Sequence, residues 1–187
     1  MRRVVIISIA AVSLLLAVSV GAFVYQEMND AQGQDDNSDH TTAYYDNFVY
    51  PGMPAVILSS GNQYKAIESA LVGYTDAIKV TTDAADVTAG AIVYICDDWV
   101  VSYGTLAATA VINGSSEGGY AVISSNVAAI KAVESSVSWN DSAIFNCYCQ
   151  IGGITRCFGI ECESYQTAVQ ACYNWAAESL NLGKPLV

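Results

Sequence analysis

The sequence predicts an α/β domain that follows a membrane-spanning helix at the N-terminus. From Pro54 onward, short apolar runs alternate with segments of helical spacing, which is typical of a parallel sheet covered by helices. Val4–Tyr25 is uncharged and long enough to span a bilayer. Near the C-terminus, two apolar runs flank Gly152-Gly153, which favours an antiparallel hairpin. We therefore expect a flavodoxin-like three-layer domain that ends in a hairpin and a helix.

The charges around the first apolar segment predict its orientation. Arg2 and Arg3 precede it, whereas Glu27 and Asp30 follow it. Because basic residues remain on the cytoplasmic side, the C-terminal domain is expected to be extracytoplasmic on a single-pass anchor, residues 1–25. The alternative is a signal peptide that is cleaved near residue 22, after the small residues Gly21 and Ala22. Both interpretations export the rest of the chain.

The exported part is strongly acidic. Beyond residue 25 it contains 5 Lys or Arg and 18 Asp or Glu, a balance that would repel nucleic acid phosphates and anionic lipid, so neither is expected as a partner. Six acidic residues and no basic residue lie between Glu27 and Asp46, which predicts a flexible stalk over residues 26–43. Residues 44–187 are then enough for one domain. Four aromatic residues at its start form either an interaction patch or a contact with the domain: Tyr44, Tyr45, Phe48 and Tyr50.

Apolar runs and helical spacing place the elements in order. Strands are predicted where short apolar runs end in turn residues: Ala55–Leu58, Ala77–Val80, Ala91–Cys96 and Tyr120–Ile123, followed by hairpin strands 144–151 and 154–162. Helices are predicted where apolar residues recur every three or four positions: Tyr64 to Tyr74, Trp99 to Val111 with a cap at Asp97 or Asp98 and an end at Asn113-Gly114, Val127 to Val133 with a cap at Asn126, and Tyr165 to Leu180 after Ser164. Asp83–Val87 is predicted to be a brief turn.

All six cysteines lie in the exported part, and an even number in an oxidising compartment favours disulfides over a metal site. A metal site is the alternative, but its usual CxxC pair is absent. The residues are Cys96, Cys147, Cys149, Cys157, Cys162 and Cys172. In the hairpin register that pairs Ile151 with Ile154, one face carries Cys147, Cys149 and Cys162, and the opposite face carries Cys157. Since Cys172 lies on the apolar stripe of the last helix, we hypothesise a disulfide between that helix and the hairpin.

The segment from Ala55 to Cys96, with Ser60-Gly61-Asn62 after the first strand, and the later stretch GGYAVISSNVAAI resemble class I glutamine amidotransferase domains over residues 54–133. The resemblance implies a flavodoxin-like fold. In that family a cysteine nucleophile occupies the turn that corresponds to Ser124-Ser125-Asn126, and a histidine activates it. Here the turn has no cysteine, and the single histidine, His40, lies in the predicted stalk. We therefore expect no catalytic residue from this resemblance.

Polar residues at the ends of the predicted strands form the candidate ligand site. The carboxyl ends of parallel strands meet at one edge of the sheet, where such folds bind ligands. The candidates are Ser60, Gly61, Asn62, Asp97, Asp98, Ser124, Ser125 and Asn126. A small ligand or a divalent cation is one interpretation of the two aspartates, and helix capping is the other. No cofactor is expected.

The sequence favours binding or assembly at the cell surface, with a protein partner or a second copy, over catalysis. One alternative is an enzyme that uses Asp97 and Asp98. The other is a pilin-like filament subunit, which shares an apolar N-terminal helix followed by a globular head. Asn113 and Asn140 match the glycosylation acceptor pattern and are expected in surface loops.

Overall fold

The computed structural model describes residues 52–135, 139, 143–161 and 164–182. The predicted anchor and stalk, the four aromatic residues before Pro51, Asn140 and Cys162 lie outside the described residues. Within those ranges, no helix combines the length and the apolar character that a membrane span requires.

The described chain forms an α/β domain around one mixed, six-stranded sheet. The strands are β1 (Ala55–Leu58), β2 (Ile78–Thr81), β3 (Ile92–Ile95), β4 (Ala121–Ser124), β5 (Phe145–Ile151) and β6 (Ile154–Ile160). Their order across the sheet is β2-β1-β3-β4-β5-β6. The first four strands are parallel, and β5 and β6 join antiparallel. The predicted α/β class and the C-terminal hairpin are therefore confirmed.

Helices cover both faces of the sheet, which gives three layers. The helices are α1 (Tyr64–Ala70), α2 (Asp97–Tyr103), α3 (Thr105–Gly118), α4 (Val127–Val133) and α5 (Tyr165–Leu182), and a 3-10 turn spans Ala84–Asp86. Buried residues of α1 and α5 share one core with alternate strand residues such as Ile57 and Tyr94. Buried residues of α2, α3 and α4 share the other core with Leu58 and Ile95. Covering on both faces explains why β1, β3 and β4 are buried along their whole length.

The hairpin has the register that the sequence predicts. Ile151 pairs with Ile154 and Cys147 with Phe158. Gly152 and Gly153 have φ values of 61° and 79°, as a turn with two left-handed residues requires. Cys147 and Cys149 face the α5 core, while Cys157 packs against the opposite core. The predicted division of these three cysteines between the two faces is therefore confirmed.

The helical segment after β3 differs from the prediction in two ways. It breaks into α2 and α3 at Gly104, whose φ of 88° only glycine adopts without strain. It also continues past Asn113-Gly114 to Gly118, so the predicted end was wrong. Gly114 lies within this helix, where it makes room for the Tyr120 hydroxyl: a Cβ there would lie 2.5 Å from the Tyr120 hydroxyl oxygen. Asn113 is consequently exposed on a helix and does not lie in a loop.

Candidate functional site

The strand order reverses between β1 and β3, which places a crevice at their carboxyl ends. The chain leaves β1 toward α1 on one face of the sheet and leaves β3 toward α2 on the other. Sheets of this kind bind ligands at such a point. The loop 59–62 and the segment Cys96–Asp98 meet there, as the sequence predicts.

The Asp98 side chain forms hydrogen bonds across this crevice. The Ser59 hydroxyl oxygen lies 3.0 and 2.8 Å from the two Asp98 carboxylate oxygens. The backbone N–H groups of Ser60 and Gln63 each donate to the same carboxylate at 3.3 Å. In return, the Asp98 N–H donates to Gln63 Oε1 at 3.0 Å. The carboxylate therefore fastens the loop after β1 to the start of α2.

Two of the predicted site residues support this arrangement. Gly61 lies so close that a Cβ there would be 2.7 Å from Asp98 Oδ2, which explains why glycine occupies this position. The Ser60 hydroxyl donates to the Asp98 carbonyl at 2.7 Å and lies 2.8 Å from the Ser102 hydroxyl. Asn62 is exposed beside them, and its carbonyl accepts from Lys65 N–H at 3.2 Å.

The expectation that Asp97 or Asp98 caps its own helix was wrong. Cys96 occupies the N-cap position, and the two aspartates are the first residues of α2. The Asp97 carboxylate forms no hydrogen bond with another described residue and is half-buried. Burial, and then the charge of Asp98, raises the pKa of Cys96 to about 12. The Cys96 thiol is therefore protonated at neutral pH and is a poor nucleophile.

Ser124, Ser125 and Asn126 form the neighbouring turn after β4. The Ser124 hydroxyl is fully buried, donates to the Ile95 carbonyl at 3.4 Å and accepts from Asn126 N–H at 3.1 Å. Asn126 Oδ1 accepts from Ala129 N–H at 3.1 Å, which confirms it as the cap of α4. No hydrogen bond joins this turn to Asp98 among the described residues. Ser124 and Asn126 therefore form their hydrogen bonds with the neighbouring strand β3, within the turn and with the start of α4.

Tyr165 at the start of α5 is a residue of this edge that the sequence analysis missed. Its ring lies 5.3 Å from the ring of Phe145. Tyr165 is 41% exposed, and the partial burial of its ring, followed by the charges of Cys96 and Asp97, raises the pKa of Tyr165 to about 12. Its helical spacing marked it only as a core residue, so the sequence carried no signal for this position.

The described residues do not assemble a metal site. Across the described ranges, no three His, Cys, Asp or Glu side chains come together where they could hold a metal ion. A cation beside Asp97 and Asp98 would also have to displace the Ser59, Ser60 and Gln63 donors from Asp98.

A second candidate site is the apolar corner, which we define as Val101, Tyr103 and Leu106 around the break at Gly104. Val101 is 86% exposed, Leu106 is 85% exposed and Tyr103 is 50% exposed. The helical stripe of the sequence placed Tyr103 and Leu106 in the core. That expectation was wrong because Gly104 ends α2 and starts a new helix, so the periodicity does not continue across it.

The part of the sequence that contains the apolar corner is acidic. Between Lys79 and Lys131 the chain has five acidic residues and no Lys or Arg: Asp83, Asp86, Asp97, Asp98 and Glu117. Tyr103 stacks on Trp99 at 5.0 Å between ring centroids. Trp99 Nε1 donates to the Thr82 carbonyl at 2.9 Å, which holds the corner next to Asp83. Asp86 is paired with Lys79 at 2.6 Å, and that hydrogen bond lowers the pKa of Asp86.

The chain matches no described protein family, no curated protein and no solved structure in the comparisons made.

Proposed function

We propose that this protein is a membrane-anchored, extracytoplasmic domain of flavodoxin-like architecture that binds a partner protein through the apolar corner. The strand order β2-β1-β3-β4-β5 supports the architecture. The uncharged segment at residues 4–25 supports the anchor. Glycosylation at Asn113 and Asn140 and attachment through an acidic stalk belong to the same proposal.

The exposure of the apolar corner is the observation that carries the binding function. Three large apolar side chains within one turn of Gly104 are exposed to water, which is unfavourable. A partner surface that covers them would gain the free energy of their burial. The acidic residues near them in the sequence favour a partner with an apolar centre and a rim of Lys or Arg. A second copy of this chain is less suitable, because each copy carries a net charge of −11.

The residues of the crevice are poorly prepared for catalysis, which favours a binding function elsewhere on the domain. Its best-placed carboxylate, Asp98, is already engaged by Ser59, Ser60 and Gln63. The nearby Cys96 thiol is held in its protonated form. The enzyme alternative, which uses Asp97 and Asp98, would need the Asp98 contacts to open before a substrate could reach that carboxylate.

Native gel electrophoresis of detergent-solubilised membranes tests the proposal. We expect the full-length chain to migrate in a complex with a second protein, and Leu106→Asp to release it as the monomer, because a buried unpaired charge in an interface costs several kcal/mol. Raised salt should weaken the complex, since basic partner residues face the acidic rim.

Val72→Asp is the matched control, because Val72 is 75% exposed and follows α1, in the helical layer on the other face of the sheet. This variant should keep the complex. A monomeric wild-type chain, a complex made only of this chain, or equal effects of both variants would each contradict the proposal.

A further inference from the structure

Cys147 and Cys172 lie at the centre of the contact between the sheet and α5. Both residues belong to the same core and are 0% exposed. Cys147 is on β5, whereas Cys172 is in the middle of α5. The five described cysteines, these two among them, are free thiols in the structure.

The strand register fixes what faces the middle of α5. Tyr94, Ile123, Cys147 and Phe158 are successive partners across β3, β4, β5 and β6, so they form one row on the α5 face. Two contacts of this row position the helix. The Tyr94 hydroxyl donates to the Val169 carbonyl at 2.9 Å. The Phe158 ring stacks on Trp175 with centroids 5.8 Å apart.

These two contacts bracket Cys172. It is three residues after Val169 and three residues before Trp175, on the same stripe of the helix. Cys147 lies between Tyr94 and Phe158 in the row below. The two contacts therefore place Cys172 over Cys147, and a hydrogen bond with the Cys147 thiol adds to the burial that raises the pKa of Cys172.

We propose that Cys147 and Cys172 form a disulfide that joins the hairpin to α5. The thiolate of one cysteine attacks a small-molecule or protein disulfide and releases one external thiol. The second cysteine thiolate attacks the mixed disulfide, forms the Cys147–Cys172 bond and releases the second external thiol. Two cysteine thiols are thus oxidised, one external disulfide is reduced to two thiols, and the two protons pass to the leaving thiolates.

The other described cysteines are poorly placed for this bond. Cys149 lies two residues further along β5 and pairs across the strands with Arg156. Cys157 lies in the opposite core, and Cys96 follows β3 as the N-cap of α2, beside Ser59. Burial raises the pKa of the Cys172 thiol well above its usual range, so exchange is slow once α5 has docked. The bond therefore forms during folding, before the helix covers β5.

The bond persists in the cell only in an oxidising compartment, so its occurrence there rests on the export proposed above. Its pairing is tested without that assumption. The full-length chain, reduced and unfolded, is refolded in detergent with reduced and oxidised glutathione. It is then unfolded in denaturant with excess iodoacetamide, so that buried free thiols also react, and digested without reductant. Mass spectrometry should find the peptides of Cys147 and Cys172 joined, with Cys149 and Cys157 alkylated.

Two variants complete the test. Cys147→Ser should leave Cys172 alkylated and lower the thermal midpoint by roughly 6–12 °C, whereas Cys149→Ser should keep the bond. Reductant should lower the midpoint of the wild type by the same amount and leave Cys147→Ser unchanged. Alkylation of both Cys147 and Cys172 in the refolded wild type, or a bond from either one to a different cysteine, overturns the proposal. That outcome would not affect the proposed partner binding, which depends on the apolar corner.

Discussion

At the scale of single residues, Asp98 does most to define the crevice. It accepts hydrogen bonds from Ser59, Ser60 and Gln63, residues that precede it by 35 to 39 positions. The sequence showed correctly that Asp98 would lie at the strand ends near Ser60 and Gly61. It did not show that the Asp98 carboxylate would accept hydrogen bonds from the loop after β1. Hydrophobic periodicity predicts where an element lies but not which distant loop packs against it.

Asp98→Asn should lower the free energy of unfolding by about 1–3 kcal/mol, because a charged acceptor of several hydrogen bonds becomes a neutral amide that faces the same donors. Denaturant unfolding of the full-length chain measures the change. Asp97→Asn is the control and should stay within about 0.5 kcal/mol, since its carboxylate has no hydrogen bond to another described residue. Equal losses in both variants would mean that the Asp98 contacts add nothing specific.

At the scale of elements, regular alternation was predictable and interruptions were not. The hairpin register and the facing of Cys147, Cys149 and Cys157 followed from the two-residue period of a strand and from Gly152-Gly153. The break at Gly104 did not, because one glycine is compatible both with a continuous helix and with a helix end. The apolar corner exists only through that break, so no local pattern indicated it.

Because the helical layers bury cysteine thiols, the free energy of unfolding should fall as the pH rises into the alkaline range. Burial raises the pKa of Cys149 to about 11 and of Cys157 to about 12, from an ordinary value of 9.0, and the two thiols lie on opposite faces of the sheet. In the unfolded chain these thiols ionise near pH 9, so folding stability is complete below that pH and falls as the pH rises toward the folded values.

Between pH 8 and 10.5, Cys157→Ser should reduce the fall in unfolding free energy by about 1–2 kcal/mol relative to the wild type. Denaturant titrations at several pH values measure the slope. Thr109→Ala, at a half-buried position of α3 that does not titrate, serves as the control and should leave the slope unchanged. A slope that is identical in Cys157→Ser and the wild type would show that this thiol is not covered by its helical layer.

At the scale of the whole molecule, the sequence predicted the α/β class, because alternating elements leave few other arrangements. The acidity of the chain, from which the sequence analysis expects no nucleic acid partner, is consistent with the basic rim proposed for the partner of the apolar corner. The position of the corner could not be predicted, since it depends on which residues remain uncovered once both faces of the sheet are occupied. Asp98 is hydrogen-bonded across the crevice, and the apolar corner is exposed. Together these two features favour a domain that binds a partner through the apolar corner.

Site-specific photo-cross-linking in intact cells tests this central claim most directly. A photoreactive phenylalanine analogue replaces Leu106 at the corner or, as the comparison, Asn62 at the crevice. We expect one discrete cross-linked protein from Leu106, with the linked peptide rich in Lys or Arg, and none from Asn62. A cross-link from Asn62 alone, or none from Leu106, would contradict the claim that the protein binds its partner through the apolar corner.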